Sequence, residues 1–169
     1  MLYLRTKLKL VATSKTIGTM IFRKATEQDL VSIVAMMADD ILGKERENFQ
    51  EPLPKEYVEA FKKIDSDENQ ELIVLEEENS EIIGTLQLSF IQYLNRGGGL
   101  RAQIESVMIR KDKRGLGLGK SMFEWAINRA KEKNAFMVQL TSDKQRPRAI
   151  KFYEDLGFTA SHEGLKLQF

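Results

Sequence analysis

A glycine-rich stretch in the last third of the chain constrains the fold more than any other feature. Residues 113–121 read KRGLGLGKS and follow a strand-like segment, Arg101–Arg110. The residues after them repeat apolar side chains at helical spacing. Glycine amides approach an anion closely, and the N-terminus of a helix adds free N–H groups at the same spot. The stretch therefore predicts an α/β domain with an anion-binding turn between a strand and a helix.

Two familiar phosphate-binding loops do not fit this stretch. An ATP-binding loop reads G-x-x-x-x-G-K-[ST]; Gly119-Lys120-Ser121 supply its end, but Arg114 stands where the first glycine is required. A dinucleotide-binding loop reads G-x-G-x-x-G, whereas these glycines lie two residues apart. The remaining pattern, Arg-x-x-Gly-x-Gly, suits a pyrophosphate. A glycine-rich turn without any ligand stays open from these residues alone.

The rest of the chain predicts one α/β domain with the order β-α-α-β-β-β-α-β-α-β-β. Helices are expected after a capping box at Thr26–Asp29, from Pro54, after the glycine stretch and from Pro147. The expected strands are Ile21–Arg23, Glu71–Leu75, Ile82–Ile91, Arg101–Arg110, Phe136–Leu140, Phe158 and Leu165–Phe169. The strands Glu71–Leu75 and Ile82–Ile91 are expected to form a hairpin. We therefore expect a mixed, mostly antiparallel central sheet flanked by helices.

Alternation along two strands predicts what each face carries. Phe136–Leu140 is apolar almost throughout, a pattern typical of a central strand that is covered on both faces. In the strand Arg101–Arg110, strict alternation places Glu105, Val107 and Ile109 on one face.

The composition excludes several classes of active site. The chain of 169 residues has no cysteine and a single histidine, His162. A thiol nucleophile and cysteine-ligated metals are excluded, and a Ser-His-Asp triad is disfavoured, so we predict no metal site. The net charge of +1 favours neither nucleic acid nor an anionic membrane as partner, and no apolar run approaches the roughly 18 residues that span a bilayer. A cytoplasmic protein is expected.

Residues 1–19 are interpreted as an extension ahead of a domain at residues 20–169. They lack the apolar block and the small-residue cleavage site of a signal peptide. Met20 is followed at once by the pattern of a first strand and helix. We expect the extension to be a disordered terminus or a non-native addition.

Two separated segments resemble the GCN5-related N-acetyltransferase (GNAT) superfamily. Residues 104–130, IESVMIRKDKRGLGLGKSMFEWAINRA, contain that family's [RQ]-x-x-G-x-[GA] loop, and residues 148–158, RAIKFYEDLGF, resemble its late helix. The resemblance covers about residues 20–169 and implies the GNAT fold with acetyl-CoA as co-substrate. It implies that the backbone at Val107, Met108 and Ile109 pairs with the pantetheine. It also implies that the pyrophosphate is held by Arg114, Gly115, Leu116, Gly117, Leu118, Gly119 and Lys120.

The resemblance also implies an acid and a base for attack of an amine on the thioester. Tyr153 matches the family's late-helix tyrosine and is the candidate acid, since a phenol stays protonated at neutral pH. Glu105 is the candidate base, and a backbone N–H near Val107 is expected to polarise the thioester carbonyl. A packed tyrosine and a structural carboxylate remain the alternatives. Arg146 stands where many relatives have an asparagine, so Lys144, Arg146 and Arg148 are alternative contacts to the cofactor's phosphates.

The expected acceptor is the primary amine of a small molecule. A non-catalytic coenzyme A sensor or interaction domain stays open, as does a peptide or protein acceptor. His162 is expected to cap or pack a closing strand. The family resemblance also allows a homodimer.

Overall fold

The structure of the protein, a computed structural model, describes residues 6–8, 11–12, 15–16, 20–41 and 43–169. Strand β1 (Thr6–Leu8) pairs antiparallel with strand β4 (Met20–Lys24), and β2 (Val11–Ala12) pairs with β3 (Lys15–Thr16). The other residues of the predicted extension, and all of its side chains, lie outside the described residues.

The main elements are the strands of one sheet and the helices that connect them. After β4 they are α1 (Leu30–Ala38), α2 (Lys55–Ser66), β5 (Gln70–Glu76), β6 (Ile82–Gln92), the one-turn α3 (Asn95–Gly98), β7 (Leu100–Ile109), α4 (Leu118–Glu132), β8 (Ala135–Leu140) and α5 (Pro147–Asp155). The strand order is β1-β4-β5-β6-β7-β8. All neighbours are antiparallel except β7 and β8, which are parallel. The predicted mixed, mostly antiparallel sheet flanked by helices is confirmed.

Each face of the sheet buries its own apolar cluster. Helix α4 presents a stripe of buried residues, Leu118, Met122, Ala126 and Ala130, which packs on β4–β7 together with Phe123. Helices α1 and α2 cover the opposite face with Leu30, Ile33, Met36 and Phe61 over Leu72 and Val74. The spacing of three and four residues puts these side chains on one side of each helix, as the sequence pattern predicts. The result is a three-layer domain with the sheet in the middle.

A buried carboxylate fixes the start of α1. The capping box predicted at Thr26–Asp29 is present: Asp29 accepts a hydrogen bond from the Thr26 N–H at 2.7 Å. Asp29 also receives both Nη atoms of Arg23, at 2.7 and 2.9 Å. Burial alone would raise the pKa of Asp29, but the hydrogen bonds from Arg23 and Thr26 hold this pKa below its ordinary value. The contacts join the helix entry to β4.

The two closing strands predicted at Phe158 and Leu165–Phe169 do not form. The chain after α5 is irregular to its end at Phe169. Phe158 still packs on the α4 side, with its ring 6.2 Å from that of Phe123. Leu165 and Leu167 are 95% and 80% exposed. A strand requires a neighbour for its backbone N–H and C=O groups, and none of the strands that the structure describes pairs with these residues.

The prediction that Phe136–Leu140 is a covered central strand is also wrong for the single chain. Strand β8 stands at the end of the sheet order, with β7 on one side. Phe136 and Met137 are 44% and 39% exposed. Strand β8 thus has the composition of a buried strand but lies at an edge of the sheet that the structure describes.

Candidate active site

Strands β7 and β8 separate before β7 ends. Their parallel pairing runs from Leu100 opposite Ala135 to Ile104 opposite Leu140, where β8 finishes. Residues 105–109 of β7 therefore have no strand on that side within the part of the chain that the structure describes. Val107, Met108 and Ile109, which sequence reasoning assigned to the cofactor, all lie in this unpaired segment.

A β-bulge interrupts β7 at the same point. On the β6 side, Glu105 pairs with Gln87 and Met108 with Thr85, so Ser106 and Val107 stand opposite a single residue. Ser106 has a φ of +52°, a left-handed conformation that is unusual for serine. The extra residue reverses the alternation of side chains. Val107 and Ile109 pack on the α4 side, whereas Glu105 stays opposite Gln87, so the prediction that all three share one face is wrong.

The glycine loop delivers the chain directly into the N-terminus of α4. Gly115 and Gly117 have φ values of +81° and +80°, and a Cβ atom at either position would meet no atom within 4 Å. The glycines are therefore required for the backbone conformation. Gly117 occupies the N-cap position and has no side chain to cap the helix. The first N–H groups of α4 and its positive dipole end thus point out of the turn.

A cavity of about 340 Å³ forms in front of this helix end. The loop, the end of β7 and α5 contribute its lining: Ile109, Lys113, Arg114, Gly115, Gly117, Leu118, Gly119, Lys120 and Phe152. The structure thus brings together seven of the ten residues assigned to the cofactor. Leu116 is half-exposed and does not line this cavity, and neither do Val107 and Met108, which lie farther back along β7. Free amides around a concave surface are a suitable receptor for a phosphate-bearing ligand.

The cations of the loop are only weakly paired. The Arg114 Nη2 lies 3.7 Å from a carboxylate oxygen of Asp39, and the Lys120 Nζ lies 3.8 Å from Glu124. Both pairs are exposed, and such pairs contribute little energy. Lys113, in contrast, donates to both oxygens of Glu77 at 2.7 and 2.9 Å. An anion in the cavity would therefore compete easily for Arg114 and Lys120 but not for Lys113.

Tyr153 lies one residue beyond the cavity lining on α5. Its ring packs against Phe123 at 5.3 Å and Phe152 at 5.6 Å between ring centroids. Burial raises the pKa of Tyr153 above its ordinary value, against a smaller opposing effect of the Arg146 charge. Its hydroxyl makes no hydrogen bond to any described residue. The side chain is therefore a protonated phenol with a free donor.

Glu105 lies on the opposite face and belongs to a row of polar side chains. Its Oε1 accepts a hydrogen bond from Gln103 Nε2 at 2.8 Å, and its neighbour across the sheet is Gln87. Gln87 in turn donates to Gln70 at 2.8 Å. We call Gln70, Gln87, Gln103 and Glu105 the polar row. Sequence reasoning missed the row, because the row follows only from the register of three strands.

The end of α1 contacts both the glycine loop and the start of α5. Asp39 lies near Arg114 of the loop, and Asp40 accepts a hydrogen bond from Arg146 at the start of α5. Lys144 pairs with Glu163 at 2.8 Å. Lys144 and Arg146, proposed from the sequence as alternative phosphate contacts, thus have carboxylate partners, and neither lines the loop cavity. His162 is exposed and its Nδ1 lies 2.8 Å from the Ser161 hydroxyl.

A larger cavity of about 930 Å³ lies between α1, the turn that joins β5 to β6 and the residues that follow β7. Two of its arginines are paired with carboxylates: Arg23 with Asp29 and Glu76, and Arg110 with Glu81 and the neighbouring Asp112. It meets the loop at Arg114. Because these charges are already neutralised, the loop cavity is the better candidate for an anionic ligand.

The described residues form neither a membrane-crossing helix nor a metal-binding cluster. None of the described helices combines the length and the apolarity that crossing a membrane requires. No group of three or more histidine, aspartate or glutamate side chains among these residues forms a metal-binding cluster.

Comparison with known proteins identifies a matching family model. The model of the Acetyltransferase (GNAT) family matches residues 38–158. A glucosamine 6-phosphate N-acetyltransferase of Trypanosoma brucei brucei is 31% identical over 86 residues, which are 51% of this chain and 56% of that protein. The chain therefore matches only about half the length of this curated relative.

Solved structures share the fold over most of the chain. A crystal structure described as a transcriptional regulator from Bacillus halodurans C-125 is 52% identical, with a TM-score of 0.86, and the match covers 89% of this chain and 99% of that one. A predicted acetyltransferase from Clostridium acetobutylicum, solved with acetyl-CoA, is 24% identical with a TM-score of 0.68, covering 88% and 96%. The second likeness concerns the fold alone.

Proposed function

Because the chain belongs to the GNAT acetyltransferase family, we propose that it transfers an acetyl group from acetyl-CoA to a primary amine of a small molecule. The observation that carries the proposal is the loop cavity. It joins an uncapped helix N-terminus, two left-handed glycines and two weakly paired cations at the end of an unpaired strand segment. These features fit a ligand that has a pyrophosphate at one end and an extended amide-bearing arm at the other.

The co-substrate would be held by the loop and by β7. The N–H groups at the start of α4, with Arg114 and Lys120, would bind the pyrophosphate. The backbone of Val107, Met108 and Ile109 would pair with the pantetheine amides as an added strand would, since β8 ends before this segment. The bulge at Ser106 supports this assignment because it leaves the N–H groups here outside the regular ladder with β6.

Proton transfer would involve Glu105 and Tyr153. The amine nitrogen attacks the thioester carbonyl carbon, so that a C–N bond forms and the C–S bond breaks. The amine proton passes to Glu105, directly or through a water, and the Tyr153 hydroxyl donates its proton to the departing thiolate. The raised pKa of Tyr153 supports its role because the acid must be protonated at the start of each turnover.

The bulge also suggests from which side the acceptor approaches. Glu105 faces the side of α1 and α2, away from Val107. We propose that the amine enters over the polar row, whose amide groups offer hydrogen-bond donors and acceptors to a hydroxyl-bearing substrate. The similarity to a glucosamine 6-phosphate N-acetyltransferase makes that amino sugar the first compound to test.

A thiol-release assay with acetyl-CoA and a panel of amines tests the proposal. The panel contains glucosamine 6-phosphate, simple alkyl amines and a peptide with a free N-terminus. Glu105→Gln and Tyr153→Phe should each lower kcat by about 10²-fold or more. Glu78→Gln, which removes an exposed carboxylate in the turn between β5 and β6, is the matched control and should leave kcat unchanged. Full activity of both site variants would contradict the assigned roles.

A second candidate is a coenzyme A-binding module without turnover. Two observations favour it: Arg146 replaces the family asparagine and is engaged by Asp40, and a relative with 52% identity is described as a transcriptional regulator. Calorimetry, which measures binding of coenzyme A, distinguishes the two candidates when it is combined with the thiol-release assay. Binding of coenzyme A without release of thiol from any amine would support the module, whereas no binding at all would contradict both.

A further inference from the structure

Arg101, on the polar face of β7, is a part-buried cation without a carboxylate partner in the described chain. Its Nη1 donates to the side-chain oxygen of Gln139 at 2.7 Å, and its Nη2 donates to the Tyr93 hydroxyl. The guanidinium lies over the Tyr93 ring, with its central carbon 4.5 Å from the ring centroid. The Nε atom is buried and has no hydrogen-bond partner among the described residues. Both side-chain oxygens that Arg101 contacts are therefore uncharged.

The other part-buried arginines of the described chain are neutralised by carboxylates. Each of them forms at least one ion pair with aspartate or glutamate: Arg23, Arg110, Arg129 and Arg146. Taking a charge out of water costs free energy, so buried charges in proteins are usually paired. Each Nη atom of Arg101 carries two hydrogens, and its contacts to Gln139 and Tyr93 use one on each atom. The remaining hydrogens can donate to a carboxylate or a phosphate.

The face that carries Arg101 also carries the proposed base. The register of β7 with β6 is regular from Arg101 to Glu105, so these two side chains and Gln103 point to the same side of the sheet. The rise of a strand places the Cα atoms of Arg101 and Glu105 about 13 Å apart. The described side chains between the two charges on this face are neutral: Gln87, Ser89, Gln103 and Gln139. One positive and one negative charge are thus separated by uncharged polar groups.

We propose that the acceptor is a zwitterion whose amine lies at Glu105 and whose carboxylate or phosphate binds Arg101. Resting on the proposed function, this assignment narrows the class of acceptor. An alkyl amine is a cation at neutral pH, so such an acceptor arrives with a positive charge for Glu105 and a negative charge for Arg101. The separation of about 13 Å between the two Cα atoms requires the amine and the anion to lie several bonds apart. The two charges of an α-amino acid lie too close together.

Matched pairs of amines test whether the acceptor needs an anionic group. Each pair has a neutral member and an anionic member: ethanolamine with phosphoethanolamine, butylamine with 4-aminobutyrate, and glucosamine with glucosamine 6-phosphate. The thiol-release assay should give a kcat/KM about 30-fold higher or more for the anionic member of at least one pair, as a hydrogen-bonded charge contact predicts. Glycine, whose two charges are adjacent, should be no better an acceptor than methylamine.

Variants of Arg101 locate the contact. Arg101→Met keeps a long side chain over Tyr93 and should raise KM for the anionic member about 30-fold or more, with kcat and the neutral member unchanged. Arg101→Lys keeps the charge and should restore part of the preference. Lys133→Met is the matched control, because the Lys133 Nζ lies 5.4 Å from the centroid of the Phe90 ring, on the opposite face of the sheet. This control should keep the full preference.

Binding and stability measurements distinguish failure of this assignment from failure of the proposed function. Urea unfolding should give both Arg101 variants the stability of the unmodified chain, since no carboxylate of the described chain loses a partner; destabilisation of both would assign Arg101 to packing. Equal kcat/KM within every pair, or a preference that survives Arg101→Met, overturns the assignment and leaves the proposed function intact.

If no amine is acetylated, the proposed function fails, and calorimetry of the anionic amines with the coenzyme A complex tests Arg101 by itself. Binding that Arg101→Met abolishes and Lys133→Met preserves supports the anion site. Absence of binding to the unmodified chain overturns it.

Discussion

The two ends of the sheet are built from similar strands but differ in how completely the chain covers them. At one end, β4 and β5 bury Phe22, Val74 and Leu75, and the charges of Arg23 are matched by Asp29 and Glu76. At the other end, the apolar β8 has Phe136 and Met137 partly in water and an unpaired edge. The comparison indicates that the first end is complete in one chain. The second end, where β7 and β8 separate, keeps an unpaired strand segment and an uncovered edge within the described part of the chain.

The largest loss of stability is expected from removing the arginine that pairs with a buried carboxylate of β5. Arg129 of α4 donates to both oxygens of Glu71, at 2.9 and 2.6 Å, and Glu71 is 4% exposed. Arg129→Ala leaves this carboxylate buried without its partner and should lower the free energy of unfolding by about 3–5 kcal/mol. Urea denaturation measures the change.

A matched control is available for that variant on the neighbouring helix. Lys151 pairs with Asp155 at 2.7 Å, but both side chains are exposed. Lys151→Ala should leave the free energy of unfolding nearly unchanged, because solvent screens an exposed pair. Equal losses for the two variants would contradict the view that coverage of the sheet decides the difference.

Truncation of apolar side chains compares the two ends directly. Leu75→Ala removes a fully buried side chain of β5 and should cost about 3 kcal/mol. Phe136→Ala, in β8, should cost less than about 1 kcal/mol when the chain is monomeric, because almost half of this side chain is already in water. Urea unfolding measures the pair. A loss of stability for Phe136→Ala as large as that for Leu75→Ala would contradict the view that the β8 edge is uncovered.

These contrasts explain which parts of the molecule the sequence could predict. The capping box at Thr26, the α4 stripe and the glycine loop depend on residues close in sequence, and local periodicity and turn chemistry determine them. The bulge at Ser106 was missed because strict alternation was assumed through Glu105 and Ser106, two consecutive polar residues at which the apolar phase shifts from Ile104 to Val107. The alternation at Leu165–Phe169 predicted a closing strand that does not form, because pattern alone does not say whether a neighbouring strand exists.

The candidate site likewise has one part that the sequence could predict and one part that it could not. The spacing of Arg114, Gly117 and Gly119 predicts an anion-binding turn, since one loop and one helix end form it. The polar row and the contact between Asp40 and Arg146 join residues that are far apart in the chain. Such contacts follow only from strand register and helix packing. Acceptor recognition depends on long-range contacts of this kind, which is why the acceptor is the least predictable part of the function.

A smaller effect is expected in the glycine loop, where the backbone conformation requires glycine at one position. Gly117 has a φ of +80°, so Gly117→Ala should lower the free energy of unfolding by about 1–2 kcal/mol and weaken coenzyme A binding about tenfold. Gly119 has an ordinary φ, and a Cβ there would lie 3.8 Å from Phe152, a normal contact. Gly119→Ala should therefore leave stability unchanged or slightly raised. Calorimetry with coenzyme A and urea unfolding test both variants, and equal destabilisation by the two would contradict the loop geometry.

The smallest effect is expected in the pH profile of the proposed reaction. Burial raises the pKa of Tyr153 above its ordinary value of 10. An acid catalyst must be protonated, so kcat should fall only as pH rises through this raised pKa, and Tyr153 should cause no loss between pH 7 and 9. The comparison of kcat across pH 6–11 for the unmodified chain and Tyr153→Phe measures this. The variant should be slower throughout and should lack the alkaline fall. An alkaline fall that persists in Tyr153→Phe would assign the proton to another group and leave this tyrosine as packing against Phe123.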